Sequence, residues 1–353
     1  MPKTGAPEFI RIPTSPPIIP PVAGGEKRPL WSVMIPTYNC SEYLKETLAG
    51  VLAQAPGPDL MQIEVIDDAS TDEDVGALVA NIGAGRVQYF RQPINVGSIR
   101  NFETCINRSR GHLIHLLHGN DRVKPGFYEK IAQLFQQHPE AGAAFSHCAY
   151  IDEQGYQQFL PPLVAPAAGI LPNWLLRIAE YQRLQYVSSV VRREVYEKLG
   201  SFYGTNYGED WEMWVRIAAH YPVAYLPEVL AEYRGHPNSI SEEKAQAALI
   251  VPDLLQVMKR IQQHVPVSHR HQVLAKSKKY YARMSIGSAH HLLKESRSWR
   301  LAHLHIKQAL ALSRHPAVYG DLLKFYFKSL FVCIKRRDSL KAFAAILFAW
   351  LMR

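Results

Sequence analysis

The sequence predicts an α/β fold, a mixed but mainly parallel sheet with helices on both faces, followed by a helical C-terminal region. Three observations lead there. From Leu30 to about residue 150, short apolar runs alternate with amphipathic segments, the pattern of βαβ units. Three polar clusters directly follow apolar runs: Pro36-Thr37-Tyr38-Asn39, Asp67-Asp68 with Ser70 to Asp72, and His118-Gly119-Asn120-Asp121. In a parallel sheet they fall on one rim, beyond the carboxyl ends of the strands, where ligands bind. Finally, the formal charge of +9 is divided: residues 1–244 hold 21 Lys and Arg against 27 Asp and Glu, net −6, and residues 245–353 hold 19 against 4, net +15. That division suits an enzyme body with a basic extension better than a uniformly basic nucleic-acid binder, and no nucleic-acid motif is present.

Taken in order, residues 1–29 carry eight prolines and are expected to form an extended, disordered leader. Residues 31–35 read as a strand. Asn39, with Glu42 three positions on, reads as a helix start, and Leu44, Leu48, Val51 and Leu52 recur at helical spacing. Residues 62–66 and 87–90 read as strands, 98–109 as a helix, 112–117 as a strand, 127–137 as a helix and 142–150 as a strand. Beyond 245 the spacing of Leu254, Leu255, Met258 and Ile261 gives a helix face. At the end, the aromatic run 325–334, the cations at 335–337 and the apolar stretch 342–352 suit either a helix lying on anionic lipid or a packed bundle with exposed cations.

No run reaches the roughly 18 apolar residues of a membrane span, and the first residues lack a signal-peptide core, so a cytoplasmic location is expected, peripheral on the inner membrane face if the tail binds lipid. Cys40, Cys105, Cys148 and Cys333 stand far apart, supporting neither a zinc knuckle nor a disulfide framework. Dinucleotide, P-loop and zincin fingerprints are all missing.

The ordered segments 32–39 (SVMIPTYN), 66–72 (IDDASTD), Asn95-Val-Gly97 with Arg100-Asn101, and 208–214 (GEDWEMW) resemble the motifs of glycosyltransferase family 2. The resemblance spans about 30–240. It implies the GT-A fold (Rossmann-like, mainly parallel) and an inverting enzyme that takes a nucleoside diphosphate sugar. Together with the change of charge at 245, the expected division is 30–244, with a nucleotide-binding half at 30–144 and an acceptor half at 145–244, and a basic helical region at 245–353. Carried onto this sequence, Asp68 reads the nucleotide base, with Asp67 beside it and Pro36, Thr37 and Tyr38 as the other wall. Asn95, Gly97, Arg100 and Asn101 approach ribose and diphosphate. Asp210 is the catalytic base, with Glu209 adjacent, and in the segment 233–236 Arg234 neutralises the leaving group and His236 contacts the diphosphate or a metal.

The chain departs from the family at the metal motif. Where carboxylates usually hold Mn²⁺ or Mg²⁺ against the donor diphosphate, this sequence has His118-Gly119-Asn120-Asp121, leaving Asp121 and the amide Asn120 as ligands. A weakly held metal, metal-independent catalysis and an impaired relative serving as a binding or scaffold subunit all stay open at this point. The expected reaction moves a sugar to a hydroxyl of a glycan or lipid-linked acceptor in surface polysaccharide synthesis. Trp174, Trp211 and Trp214 are either sugar-stacking faces or core.

Overall fold

The computed structural model describes residues 10–25 and 27–336, which divide into two units. The first comprises the described residues up to Ser239 together with Gln256–Val265, and the second comprises Ile240–Leu255 and the described residues from Pro266 onward. The division differs from one placed at residue 244 because the helix Ile250–Ile261 contributes to both units: a change in charge marks composition, whereas buried side chains such as Val257, Met258 and Ile261 mark packing.

The first unit is built on one mixed sheet. Its elements run β1 (Trp31–Thr37), α1 (Ser41–Leu52), β2 (Met61–Asp67), α2 (Val75–Gly83), β3 (Gln88–Arg91), α3 (Ser98–Arg108), β4 (Leu113–Leu116), β5 (Arg122–Val123) and α4 (Phe127–Gln137). There follow β6 (Ala143–Ile151), β7 (Gln157–Phe159), β8 (Gly169–Ile170), α5 (Trp174–Glu180), β9 (Ser189–Arg192), α6 (Arg193–Leu199), α7 (Glu209–His220) and β10 (Val223–Arg234). The strand order is β3-β2-β1-β4-β9-β6-β10-β5, with β7 on β6 and β8 on β10. β1, β2, β3 and β4 are mutually parallel, as are β6 and β10, and β9 is antiparallel to both β4 and β6. Every residue of β1 and β2 is buried, so both faces are covered. β1 accordingly reads as a nearly continuous apolar run, while β2 alternates and buries Gln62 and Glu64 in polar pairings with Ser32 and Arg108. The second unit is helical, with long helices at Val267–Ser296, Trp299–Leu312 and Pro316–Arg336. Among the described residues no helix is long and apolar enough to cross a membrane. The stretch 342–352 lies outside the described residues.

Two local expectations are corrected. Asn39 does not cap α1: it has φ +47 and its side-chain oxygen accepts from the Thr71 N–H at 2.8 Å, while the Ser41 N–H is met by the Asp72 carboxylate at 3.0 Å. Asx side chains serve caps and turns by the same chemistry, so sequence spacing does not separate the two uses. The proline-rich leader is extended but fixed over its described part. The Pro13 carbonyl accepts from Gly204 N–H (2.8 Å), the Pro17 carbonyl from Ser201 N–H (3.0 Å) and the Pro20 carbonyl from Arg193 (3.0 Å), and Ile19 is buried. Proline lacks an N–H but keeps its carbonyl, and its fixed φ reduces the entropy lost on docking.

Candidate functional site

The three polar clusters meet on one rim because backbone pairing continues past the strand ends. Asp68 N–H donates to Thr37 O (2.8 Å) and Gly119 N–H to Pro36 O (3.1 Å), so the clusters after β2, β1 and β4 lie side by side. Pro36 and Thr37 are buried in β1, and of that trio Tyr38, 51% exposed, faces solvent.

The two adjacent aspartates have different partners. Asp67 is buried, with one oxygen accepting from Ser70 N–H (2.8 Å) and the other from the Tyr89 hydroxyl (2.8 Å) and Arg91, so it braces the loop from within. Asp68, 2% exposed, accepts from Val96 N–H (2.6 Å) and Gly97 N–H (2.9 Å), one bond to each oxygen. Burial pushes its pKa up, and those two N–H bonds oppose the shift. Asp68 thereby sets the path of the loop before α3, and a carboxylate with about four lone-pair sites keeps acceptor capacity beyond these two bonds. The Asn95 amide donates to Asp68 O (3.2 Å). Buried Asn101 donates to Ile66 O (2.9 Å), tying α3 to the end of β2, which makes it a bracket and not a pocket-facing group. Arg100 is also engaged, with Ile10 O (2.9 Å) and Glu103 (2.6 Å).

The corner after β4 does not take the form the sequence suggests. Asp121, 1% exposed, accepts from Arg234 N–H (2.8 Å) on one oxygen, and its other oxygen is buried with no partner. Burial raises its pKa to about 7. Arg234 is 0% exposed, and its guanidinium donates to Asn120 O (2.9 Å), Glu153 O (2.6 Å), Asp152 O (3.3 Å) and Glu46 (2.7 Å) while lying over the Tyr43 ring. It therefore holds the Asn120 backbone at the corner. Half-buried His236 does reach the corner: the Asn120 amide Nδ2 donates to His236 Nε2 across 2.9 Å, which makes Nε2 the unprotonated ring nitrogen. Burial lowers the His236 pKa, consistent with a neutral ring.

The donor set offers little to Mn²⁺ or Mg²⁺. Among the described residues no group of three or more His, Cys, Asp or Glu side chains is placed to hold a metal ion. Asp121 faces inward against a backbone N–H, His118 replaces a carboxylate, and the corner presents an amide and an imidazole. Hard cations need anionic oxygens for affinity, so these residues do not fit the expected metal.

Asp210 and Glu209 open α7, after Gly208 at φ +82 turns the chain. Asp210 accepts from Trp211 N–H (2.7 Å) and from the Gln182 amide, and burial raises its pKa. Glu209 accepts from the Tyr186 hydroxyl (3.1 Å). The Tyr186 ring lies 4.5 Å from the His118 ring, which is stacked at 5.0 Å on Phe102 of α3. Buried among these rings, His118 has its pKa lowered to about 4 and is neutral. One aromatic step thus joins the Glu209-Asp210 end to the corner at 118–121. Gln182 lies in the irregular stretch after α5 and Tyr186 opens the short 3₁₀ turn Tyr186–Ser188 before β9, and no motif in the sequence announces them. Trp174, Trp211 and Trp214 are core, with Trp211 Nε1 donating to Ile178 O (2.6 Å). Cys40, Cys105 and Cys148 are free thiols, and burial pushes Cys40 up to about 12, which leaves it inert.

Comparison with known proteins gives this geometry a setting. Residues 32–200 match the family model described as Glycosyl transferase family 2. An uncharacterised protein of Mycobacterium bovis is 30% identical over 217 residues, covering 59% of this chain and 60% of that protein. The amylovoran biosynthesis glycosyltransferase AmsE of Erwinia amylovora is 24% identical over 224 residues, covering 61% and 80%. Across the mycobacterial relatives the chain spans 36 to 60% of their length. The crystal structure of S. aureus TarS 1-349 in complex with UDP-GlcNAc superposes with a TM-score of 0.58 at 13% identity, covering 80% of this chain and 88% of that one. That likeness bears out the expected fold.

Proposed function

Given that residues 32–200 belong to glycosyl transferase family 2, we propose that the chain transfers a sugar, with inversion, from a nucleoside diphosphate sugar to a hydroxyl of a glycan or lipid-linked acceptor. A role in surface polysaccharide synthesis is part of the proposal, supported by the likeness to the Erwinia enzyme. The observation that carries it is the setting of Asp210 at the start of α7, fixed by Trp211 N–H and Gln182 and joined through Tyr186 and His118 to the rim.

In the proposed step Asp210 takes the acceptor hydroxyl's proton as that oxygen attacks the anomeric carbon. The new C–O bond forms as the bond to the diphosphate breaks on the opposite face, and the nucleoside diphosphate leaves with the electron pair. Gln182 orients the carboxylate, while Glu209, held by Tyr186, adds negative potential beside it. Burial favours the protonated carboxyl, so Asp210 holds the acceptor's proton more readily than an exposed aspartate. The donor lies along the rim, its base end at Asp68 and Tyr38 and its ribose and diphosphate passing Asn95 and Gly97 toward Asn120 and His236. No step is routed through a metal.

Asp210→Asn tests the assignment. The amide can keep the Trp211 bond, so nucleoside diphosphate affinity should hold while turnover falls by roughly 10² to 10⁴, the usual contribution of a general base. Equal loss of nucleotide affinity would contradict it. The replacement of carboxylates by His118 and Asn120 favours one further reading, a scaffold relative that binds donor without turning it over. Wild-type protein that binds nucleotide sugar and never releases nucleoside diphosphate would support that reading instead.

A further inference from the structure

The corner at 118–121 offers little charge to a diphosphate, and the structure places a cation elsewhere. Arg11, from the proline-rich segment ahead of β1, donates to the Asn95 side-chain oxygen. Its Nε lies 3.2 Å from where a Cβ on Gly97 would be, so the guanidinium rests on the glycine backbone at the N-terminus of α3. Gly97 has φ +87, and a side chain there would be strained and would displace the arginine. Asp68 is buried within electrostatic reach of the guanidinium, and Arg11 itself is exposed to solvent.

Two features separate Arg11 from an ordinary surface arginine. The segment that carries it is pinned on both sides of the cleft. Ile10 O accepts from Arg100 at 2.9 Å on the donor side, and Pro13 O and Pro17 O accept from Gly204 and Ser201, in the loop that leads to Glu209 and Asp210. The arginine is therefore held in place before any ligand arrives. It also stands at the positive end of an 11-residue helix, where a cation is disfavoured. Asp68 offsets part of that potential, and an arriving anion would offset the rest.

We propose that Arg11 is a donor-binding residue, its guanidinium taking the phosphate-bearing end of the nucleoside diphosphate and supplying from the N-terminal segment the positive charge that the Asn120–Asp121 corner cannot draw from a divalent metal. A guanidinium has five N–H donors in a planar fork, one of which meets Asn95, and the fork matches phosphate oxygens. The inference rests on the donor site proposed above.

The test compares full-length wild type with Arg11→Gln and Arg11→Lys by isothermal titration, using uridine, guanosine and thymidine and their 5′-diphosphates, all in excess chelator. The expected result is wild-type diphosphate binding that survives chelator and weakens about 10-fold or more in Arg11→Gln, with partial recovery in Arg11→Lys. Nucleoside affinity should stay within about two-fold, and the melting temperature of the free protein should be unchanged because Arg11 is exposed. Undiminished diphosphate binding by Arg11→Gln overturns the proposal, and tighter binding of both ligands overturns it in favour of a segment that blocks the pocket. Wild-type binding abolished by chelator and restored by Mn²⁺ overturns it in favour of a metal. Wild type that binds no nucleotide of any kind removes the donor site itself and the inference with it.

Discussion

Asp121→Asn probes the corner at which the sequence departs from the expected metal motif. Asp121 is 1% exposed, accepts one backbone N–H and leaves its second oxygen buried without a partner. Its pKa of about 7, against 3.8 for an ordinary aspartate, means the folded state keeps a proton the unfolded state has already released. The sign follows directly: stability is fully present below about pH 4, falls as pH rises between the two values, and is level again above about 7. At about 1.4 kcal/mol per unit, the whole window is worth roughly 4 kcal/mol at most. Asparagine keeps the acceptor for Arg234 and does not ionise, and its NH₂ replaces a carboxyl group that was unpartnered already, so little else changes. Urea unfolding of both proteins at pH 5, 6, 7 and 8, followed by tryptophan fluorescence, reads the effect. Trp31, Trp174, Trp211 and Trp214 all report on the first unit. The variant should gain on wild type from pH 5 to 7 and then hold a constant lead, all other groups cancelling in the difference. A difference flat with pH, or one in which wild type gains as pH rises, would refute the buried neutral carboxyl and reopen Asp121 as an anionic ligand.

Three other outcomes follow from particular contacts. Ala69 has φ +60 in the loop after β2, a conformation costing an L residue about 1 to 2 kcal/mol, so Ala69→Gly should stabilise the first unit by up to about 1 kcal/mol once glycine's greater unfolded-state freedom is subtracted; a loss of stability in urea would contradict this. Asp68→Ala frees two backbone N–H groups and should weaken nucleoside diphosphate binding by about 1 to 3 kcal/mol in titration calorimetry, whereas an unchanged dissociation constant would place the base end elsewhere. If the basic region lies on lipid, the full chain should float with anionic vesicles at low salt and truncation after about residue 320 should abolish that while a soluble acceptor is still glycosylated, whereas no flotation of the full chain would assign the region to packing.

The fold was legible because its strands are buried on both faces. β1 shows largely as an apolar run, whereas β2 alternates Gln62 and Glu64 with apolar residues and buries both against Ser32 and Arg108, and the polar clusters that follow the two strands stand out in the sequence. The rim was legible for the same reason, as was the departure at Asn120. What sequence could not assign was how partners are shared out. Asp67 and Asp68 are neighbours of one type, and only the fold turns one toward Tyr89 and the other toward the backbone of Val96 and Gly97. Arg234 matches a site motif, and only the fold shows that its guanidinium, at the end of β10, spans the Asn120, Asp152 and Glu153 carbonyls and the Glu46 carboxylate. Gln182, Tyr186 and Arg11 act through tertiary contact from segments without periodicity or motif, and proline content alone cannot tell a loose leader from one whose carbonyls are answered.

The central claim is that this rim binds a nucleoside diphosphate sugar. A ligand that binds the folded state raises its stability by mass action, by about 2.7 kcal/mol at one hundred times its dissociation constant. Thermal unfolding of the wild-type chain with UDP, GDP and dTDP and their sugar conjugates measures this directly. The account predicts that one base series raises the melting temperature in proportion to the logarithm of its concentration, with and without chelator, and that Asp68→Ala shrinks the rise. A melting temperature unmoved by every nucleotide would contradict it.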